Sequence, residues 1–158
     1  MSKSEESTAA TDPADDLGQV LSFMRLLWAL DHALQSASKR MSGRVGVTGP
    51  QRVAIRVLGR FPSLSAGRLA EILHVHPSTL TGVLRRLELR GFLRRDVDPA
   101  DGRRAMFSLT AEGKLLDRVR AGTVEASVRK VILQLPREKL EAAQDVLALL
   151  ADGLDEKE

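Results

Sequence analysis

The chain has 158 residues and a formal net charge of +3; 43% of it is hydrophobic, 3% aromatic, and it contains no Tyr and no Cys. That length suits one domain, or one domain with an oligomerisation arm, around a core of Leu, Val and Ala. The lack of Cys excludes disulfides, thiol sensing, Cys nucleophiles and Cys-ligated zinc or iron–sulfur centres.

Residues 1–16 are Ser, Thr, Ala and acid, and read as a disordered acidic tail rather than a signal peptide. From Leu17 to about Met41, Val20, Met24, Leu27, Leu34 and Met41 recur at helical spacing, and Gly43 and Gly46 are expected to end that helix. Thr48 suits a cap and Pro50 a first turn for the next helix, which is expected to bury Val53, Val57, Leu58 and Phe61 before Pro62. Ser65 caps a short helix with Leu69, Ile72 and Leu73 inward. The turn His74-Val75-His76 leads to a helix from Pro77 to about Arg90, closed by Gly91. Phe92–Asp96 and Ala105–Leu109 read as two strands, joined through the turn residues Asp98-Pro99-Ala100-Asp101-Gly102. Thr110 caps a long helix expected from Ala111 to about Leu135, with Val119, Val128, Val131, Ile132 and Leu135 inward. Pro136 opens a last helix, in which Leu140, Ala143, Leu147, Leu150 and Leu154 alternate at spacings of three and four, a coiled-coil-like seam. No apolar run reaches the ~18 residues of a membrane helix, and the expected location is the cytoplasm, with no membrane partner.

Two helices joined by a tight turn and followed by a hairpin with an Arg-rich tip form the pattern of a winged helix-turn-helix. The expected fold is therefore mainly α with a small β-hairpin wing: a winged helix-turn-helix lobe plus helical dimerisation arms. The charge placement agrees. Residues 44–104 carry twelve Arg against five acids, net +7, whereas residues 1–16 (one base, five acids) and 134–158 (three bases, seven acids) are each net −4. A basic middle between acidic ends suits a nucleic-acid surface.

On the helix from Pro77, Leu80, Val83, Leu84 and Leu87 share one face, while Ser78, Gly82, Arg85 and Leu89 lie opposite, flanked by Thr81 and Arg86. Short hydroxyls at a helix N-terminus suit phosphate, and Arg85 suits bidentate bonding to a guanine edge. Gly82, unfavourable by about 1 kcal/mol relative to Ala in a helix interior, suits a close approach of DNA. In the hairpin tip, Asp101 is placed to orient Arg103, with Arg104 beside it, for a narrow and electronegative minor groove. The candidate DNA-binding set is therefore Ser78, Thr79, Thr81, Gly82, Arg85, Arg86, Asp101, Arg103 and Arg104.

On these residues, about 48 to 113 of the chain resemble the MarR family of bacterial regulators. LAEILHVHPSTLTGVLRRLELRGFLRR is similar to the family's recognition element. DPADGRRAMFSLTAEG is similar to its wing, with Asp-x-Arg at Asp101 and Arg103 and Leu-Thr-x-x-Gly at Leu109, Thr110 and Gly113. The flanking helices match the family's dimerisation arms in placement. The resemblance implies a homodimer that represses genes at pseudo-palindromic double-stranded DNA and that releases it when a small, often aromatic anion binds between arms and lobes. Three positions depart from the family pattern: His74 stands where Gly is usual, His76 where Ser often caps, and Gly82 where Arg or a polar residue is common. His tolerates a left-handed backbone, so the turn is expected to survive.

The expected organisation is a tail over 1–16, a dimerisation helix over 17–43, a winged helix-turn-helix DNA-binding domain over 44–110 and C-terminal dimerisation helices over 111–158. Met24, Trp28 and His32 on the first helix are the candidate effector-binding residues. His74 and His76 alone, without a third ligand, do not make a metal site, and neither metal nor cofactor is expected. No Gly-rich phosphate loop, nucleophile elbow or His-Glu metal helix is present, so the chain does not read as an enzyme. The competing function is a winged-helix protein-interaction module without DNA binding; Arg on both reading elements weighs against it.

Overall fold

The computed structural model describes residues 17–155, and the tail over 1–16 lies outside them. The chain divides into two units between Ser36 and Ala37, within one continuous helix, α1 (Gly18–Val45). Up to Ser36 its apolar stripe is open: Val20, Trp28 and Leu34 are exposed. Beyond Ala37, Met41 is buried. Gly43 lies inside the helix rather than ending it, and the stop falls at Gly46, whose φ of 82° a side chain would resist.

The second unit starts its core at α2 (Gly49–Arg60), where the Gln51 carboxamide accepts the backbone N–H of Thr48 at 3.0 Å. The buried face is Gln51, Arg52, Ala54, Ile55 and Leu58, while Val53 and Phe61, expected inside, are about half exposed. The face is rotated because two polar residues, Gln51 and Arg52, occupy inward positions that hydropathy alone assigns to solvent.

A two-residue strand, β1 (Leu64–Ser65), precedes α3 (Ala66–Leu73), whose first turn is capped by the Ser65 hydroxyl accepting from Arg68 N at 3.2 Å. α4 (Pro77–Leu89) follows the turn and packs Leu80, Val83, Leu84 and Leu87 inward, the phase that the sequence predicts. β2 (Leu93–Val97) and β3 (Ala105–Leu109) pair antiparallel from Leu93↔Leu109 to Val97↔Ala105. β1 adds to the other edge of β3, giving the order β1-β3-β2; a strand of two residues is too short to leave a periodic signal. Ile55, Leu58, Leu69, Leu80, Leu87 and Phe107 form the centre of one core that holds α2, α3, α4 and the sheet together. Each fully buried side chain of this kind contributes roughly 1.5–3 kcal/mol.

The long helix expected over 111–135 is two helices, α5 (Ala111–Arg118) and α6 (Val124–Ile132). Val119 leaves α5 in an extended conformation, Gly122 takes φ 74°, and the Thr123 hydroxyl restarts the helix by accepting from Ala126 N at 3.3 Å. Val128, Val131 and Leu135, expected inward, are exposed. The last helix, α7 (Arg137–Asp155), keeps Leu147, Leu149 and Leu154 exposed as well.

Candidate nucleic-acid interface

Four buried apolar side chains fix the roll of α4 about its axis, and so decide which residues face out. Ser78, Thr79, Thr81, Arg85 and Arg86 are exposed and Gly82 is half-buried. Pro77 sits in the first turn, and His76 caps it: its Nδ1 accepts the Ser78 backbone N–H at 3.3 Å and lies 2.7 Å from the Ser78 hydroxyl. The His76 side chain thus supplies a cap acceptor at the position where the family often has Ser. His74 takes the left-handed conformation at φ 49°, ψ 48°, so the turn between α3 and α4 survives without Gly.

The polar side chains of α4 are not equally free. The Thr81 hydroxyl donates to Pro77 O at 2.8 Å, and the Arg86 guanidinium bends back to donate to Gly82 O at 3.1 Å. A Cβ on Gly82 would lie 3.4 Å from the Arg86 guanidinium, an ordinary contact, so packing does not demand glycine there. Arg85 makes no hydrogen bond or ion pair among the described residues and projects from the middle of the exposed face. The Arg90 guanidinium, by contrast, donates to Gly46 O at 2.6 Å and lies 4.9 Å from the centre of the Phe92 ring, tying the end of α4 to the lobe.

The wing tip spans residues 98–104. The Asp98 N–H donates to Arg104 O at 2.9 Å, and the Asp98 carboxylate accepts from Ala100 N at 2.9 Å. The Asp101 carboxylate accepts the backbone N–H of Arg103 at 3.1 Å, and Arg104 N donates to Asp101 O at 2.8 Å. Asp101 therefore orders the tip through the backbone, not by gripping the Arg103 guanidinium as the sequence suggested. Arg103 and Arg104 are exposed. The wing's one ion pair among the described residues joins Arg94 and Asp96 at 3.0 Å.

The base of the wing explains its signature sequence. The Thr110 hydroxyl donates to Gly91 O at 2.6 Å and accepts Gly113 N at 3.1 Å, and Thr110 N donates to Phe92 O at 3.1 Å. A Cβ on Gly113 would stand 2.1 Å from Phe92 O. Thr110 and Gly113, with Leu109 beside them, therefore form the joint between α5, the end of α4 and the wing.

Sequence reasoning missed Arg52. It is 1% exposed, and its guanidinium donates to Leu116 O and Val119 O at 2.5 Å each and to Glu125 Oε1 at 2.7 Å from Nε. Arg56 beside it pairs with Asp117 at 2.6 Å. Burial pushes the Glu125 carboxyl up, but the Arg52 hydrogen bond, its own backbone amide, the Arg52 charge and the Thr123 hydroxyl together hold it below its ordinary value. A single Arg inside an amphipathic pattern reads as a phase error, and only a charge at a core position would have marked it.

Met24, Trp28 and His32 lie on one face of α1 at steps of four; Trp28 and His32 are exposed and Met24 half-buried. His74 and His76 line a cleft of about 540 Å³ with Glu71, Pro77 and Asp152. Among the described residues no three His, Asp or Glu side chains converge as metal ligands, and no helix is long and apolar enough to cross a membrane.

A capped helix with a polar, cationic outer face beside an Arg-tipped hairpin, both anchored in one core, defines a winged helix-turn-helix protein. The sequence model of the MarR family matches residues 47–105. The HTH-type transcriptional repressor Rv2887 of Mycobacterium tuberculosis is 31% identical over 110 residues, which span 70% of this chain and 79% of that protein. This chain belongs to the MarR family. Its fold is similar to that of Sco3205, a MarR family transcriptional regulator from Streptomyces coelicolor solved in complex with DNA, at a TM-score of 0.72 and 24% identity over 87% of this chain and 88% of that one. The PcaV transcriptional regulator from Streptomyces coelicolor, solved with its natural ligand, gives 0.67 and 26% identity over 93% and 99%.

Proposed function

We propose that the chain is a sequence-specific DNA-binding transcriptional repressor that acts as a homodimer. The observation that carries this reading is the pairing of a core-locked α4, presenting Ser78, Thr79, Thr81, Gly82, Arg85 and Arg86, with a wing tip that Asp101 orders and that presents Arg103 and Arg104. Relatives named as transcriptional repressors support it, as do similar structures solved on DNA. The open apolar stripes of α1 and α7 support a second copy as the other partner. A gel shift with DNA from upstream of the chain's own gene tests the reading. Retardation that survives excess nonspecific competitor supports it, and binding no tighter than to random DNA favours a protein-interaction module instead.

Control by a small aromatic anion is part of the proposal. Met24, Trp28 and His32 supply an apolar, aromatic and polar row suited to such a ligand, and a solved relative bound to its natural ligand supports the idea. The ligand must bind the DNA-free form better, or nothing shifts. Trp28 is the only Trp. Titration with salicylate is expected to change its emission and raise the apparent Kd for DNA together; a panel of aromatic carboxylates that moved neither would remove ligand control from the reading.

A further inference from the structure

We infer that Arg52 is a positioning residue for operator recognition: it sets the angle between the reading lobe and the arm, and through it the half-site spacing that the dimer accepts. The inference rests on the DNA-binding, dimeric reading above. Its basis is the break between α5 and α6. An α-helix that stops leaves carbonyls without partners. Here Leu116 O accepts only the Val119 N–H from the backbone and Val119 O the Arg120 side chain, both at 3.2 Å, and Arg52, rooted in α2, adds a shorter bond to each on the α5 side of the break. The same guanidinium donates to the Glu125 carboxylate in the first turn of α6. One rigid, planar group thus grips both sides of the break.

Neighbouring contacts act in the same sense. Arg56, one turn further along α2, holds Asp117 at 2.6 Å. Gly59, another turn on, leaves room for that carboxylate, since a Cβ there would lie 2.5 Å from Asp117 Oδ2. The Thr123 hydroxyl, in a residue only 3% exposed, donates to Arg120 O at 2.9 Å and starts α6. A continuous helix through 119–123 would give these carbonyls helical backbone donors and carry them away from the Glu125 carboxylate, breaking up the set of acceptors that the buried Arg52 spans. The clasp therefore favours the bent arrangement over the straight one. Because the exposed apolar faces of α6 and α7 follow the bend, its angle determines where a second copy's α4 is placed relative to the first.

Lysine cannot replace this Arg: its ammonium is a compact point charge and reaches the Glu125 carboxylate or the carbonyls, not both sides together. The test uses full-length chain. Operators are selected first from random DNA with the wild type, then rebuilt with the half-sites moved apart and together by one and two base pairs. Wild type is expected to discriminate against the altered spacings at least tenfold. Arg52→Lys, with Glu125→Gln as a second variant that weakens the grip from its half-exposed end, is expected to bring that discrimination to within about threefold while each half-site keeps its base preference. Melting curves and sedimentation establish that the variants are folded dimers. A folded Arg52→Lys dimer with undiminished spacing discrimination overturns the inference. Equal loss at every spacing does so too, because that is what plain destabilisation produces. A wild-type chain that selects no paired half-sites instead removes the DNA reading itself, and the inference with it.

Discussion

Arg85 and Arg103 have different surroundings, and so different expected phenotypes. Arg85 has no hydrogen bond or ion pair among the described residues and is proposed to meet a base edge, so Arg85→Ala is expected to cost about 1–3 kcal/mol and relax preference at one position per half-site. Arg103 stands on a tip whose backbone is already ordered by Asp101. Arg103→Ala is expected to weaken binding evenly across sequences and to flatten the salt dependence; binding isotherms at several salt concentrations check both, and an unchanged slope would remove the wing from the interface. Gly113 belongs to stability rather than binding. Gly113→Ala pushes a methyl group into Phe92 O, and thermal unfolding is expected to show a loss of about 1–3 kcal/mol, as overpacked cores do. Glu125 is the residue for pH. Its folded pKa is lowered, so its contribution to stability is fully present above the ordinary carboxylate value of 4.5 and disappears as pH falls through the lower, folded value. At 38% side-chain exposure the effect is small. Acid unfolding of Glu125→Gln is expected to be less steep than that of wild type below that pH.

Elements differed in how openly the sequence declared them. α4 was legible in full, because four apolar residues at helical spacing lie between a proline and a glycine, and the same pattern named its outer face. The wing was legible from its turn residues, although Asp101 acts on the Arg103 backbone, a distinction that residue identity cannot carry. α2 was placed correctly and Leu58 and Val57 lie inward as expected, but Val53 and Phe61 do not, since the inward Gln51 and Arg52 satisfy partners more than 60 residues away or at the helix start. The division of the expected long helix was hidden for the same reason. Residues 119–123 contain one glycine and no proline, and the carbonyls at the stop take donors from α2. Gly122 and the Thr123 cap are the local signs: at φ 74°, Gly122→Ala is expected to destabilise by about 1–2 kcal/mol, and an unchanged melting temperature would show that the bend relaxes without it.

At the scale of the whole molecule, α1 and α7 leave Leu26, Trp28, Leu149 and Leu154 each more than half exposed. Surfaces of that kind are partner sites or aggregation liabilities. Deleting residues 136–158 is expected to give a monomer or an insoluble chain; a soluble, DNA-binding dimer after that deletion would refute the assignment of the arm. The intact dimer is expected to protect two half-sites centred about 34 Å, or 10 base pairs, apart, and a single asymmetric footprint would contradict two-fold docking. Tenfold weaker DNA binding on adding an effector needs only about 1.4 kcal/mol of coupling.

The buried guanidinium of Arg52 also restricts the routes by which this sequence can drift. Its pairing with Glu125 tolerates loss in one order and not in the other. If Glu125 mutates first, a cation 1% exposed keeps the Leu116 and Val119 carbonyls but loses its anion. If Arg52 mutates first, Glu125, which is 38% exposed, turns to solvent, and an apolar side chain fills the gap. Leaving a buried cation without its anion costs more than leaving a half-exposed carboxylate without its cation, and an apolar residue in place of a buried ion is often neutral. Descendants of this chain are therefore expected to lose the arginine before the glutamate. Lineages retaining Arg52 should carry an acid at the position of Glu125, and lineages lacking it should vary freely there.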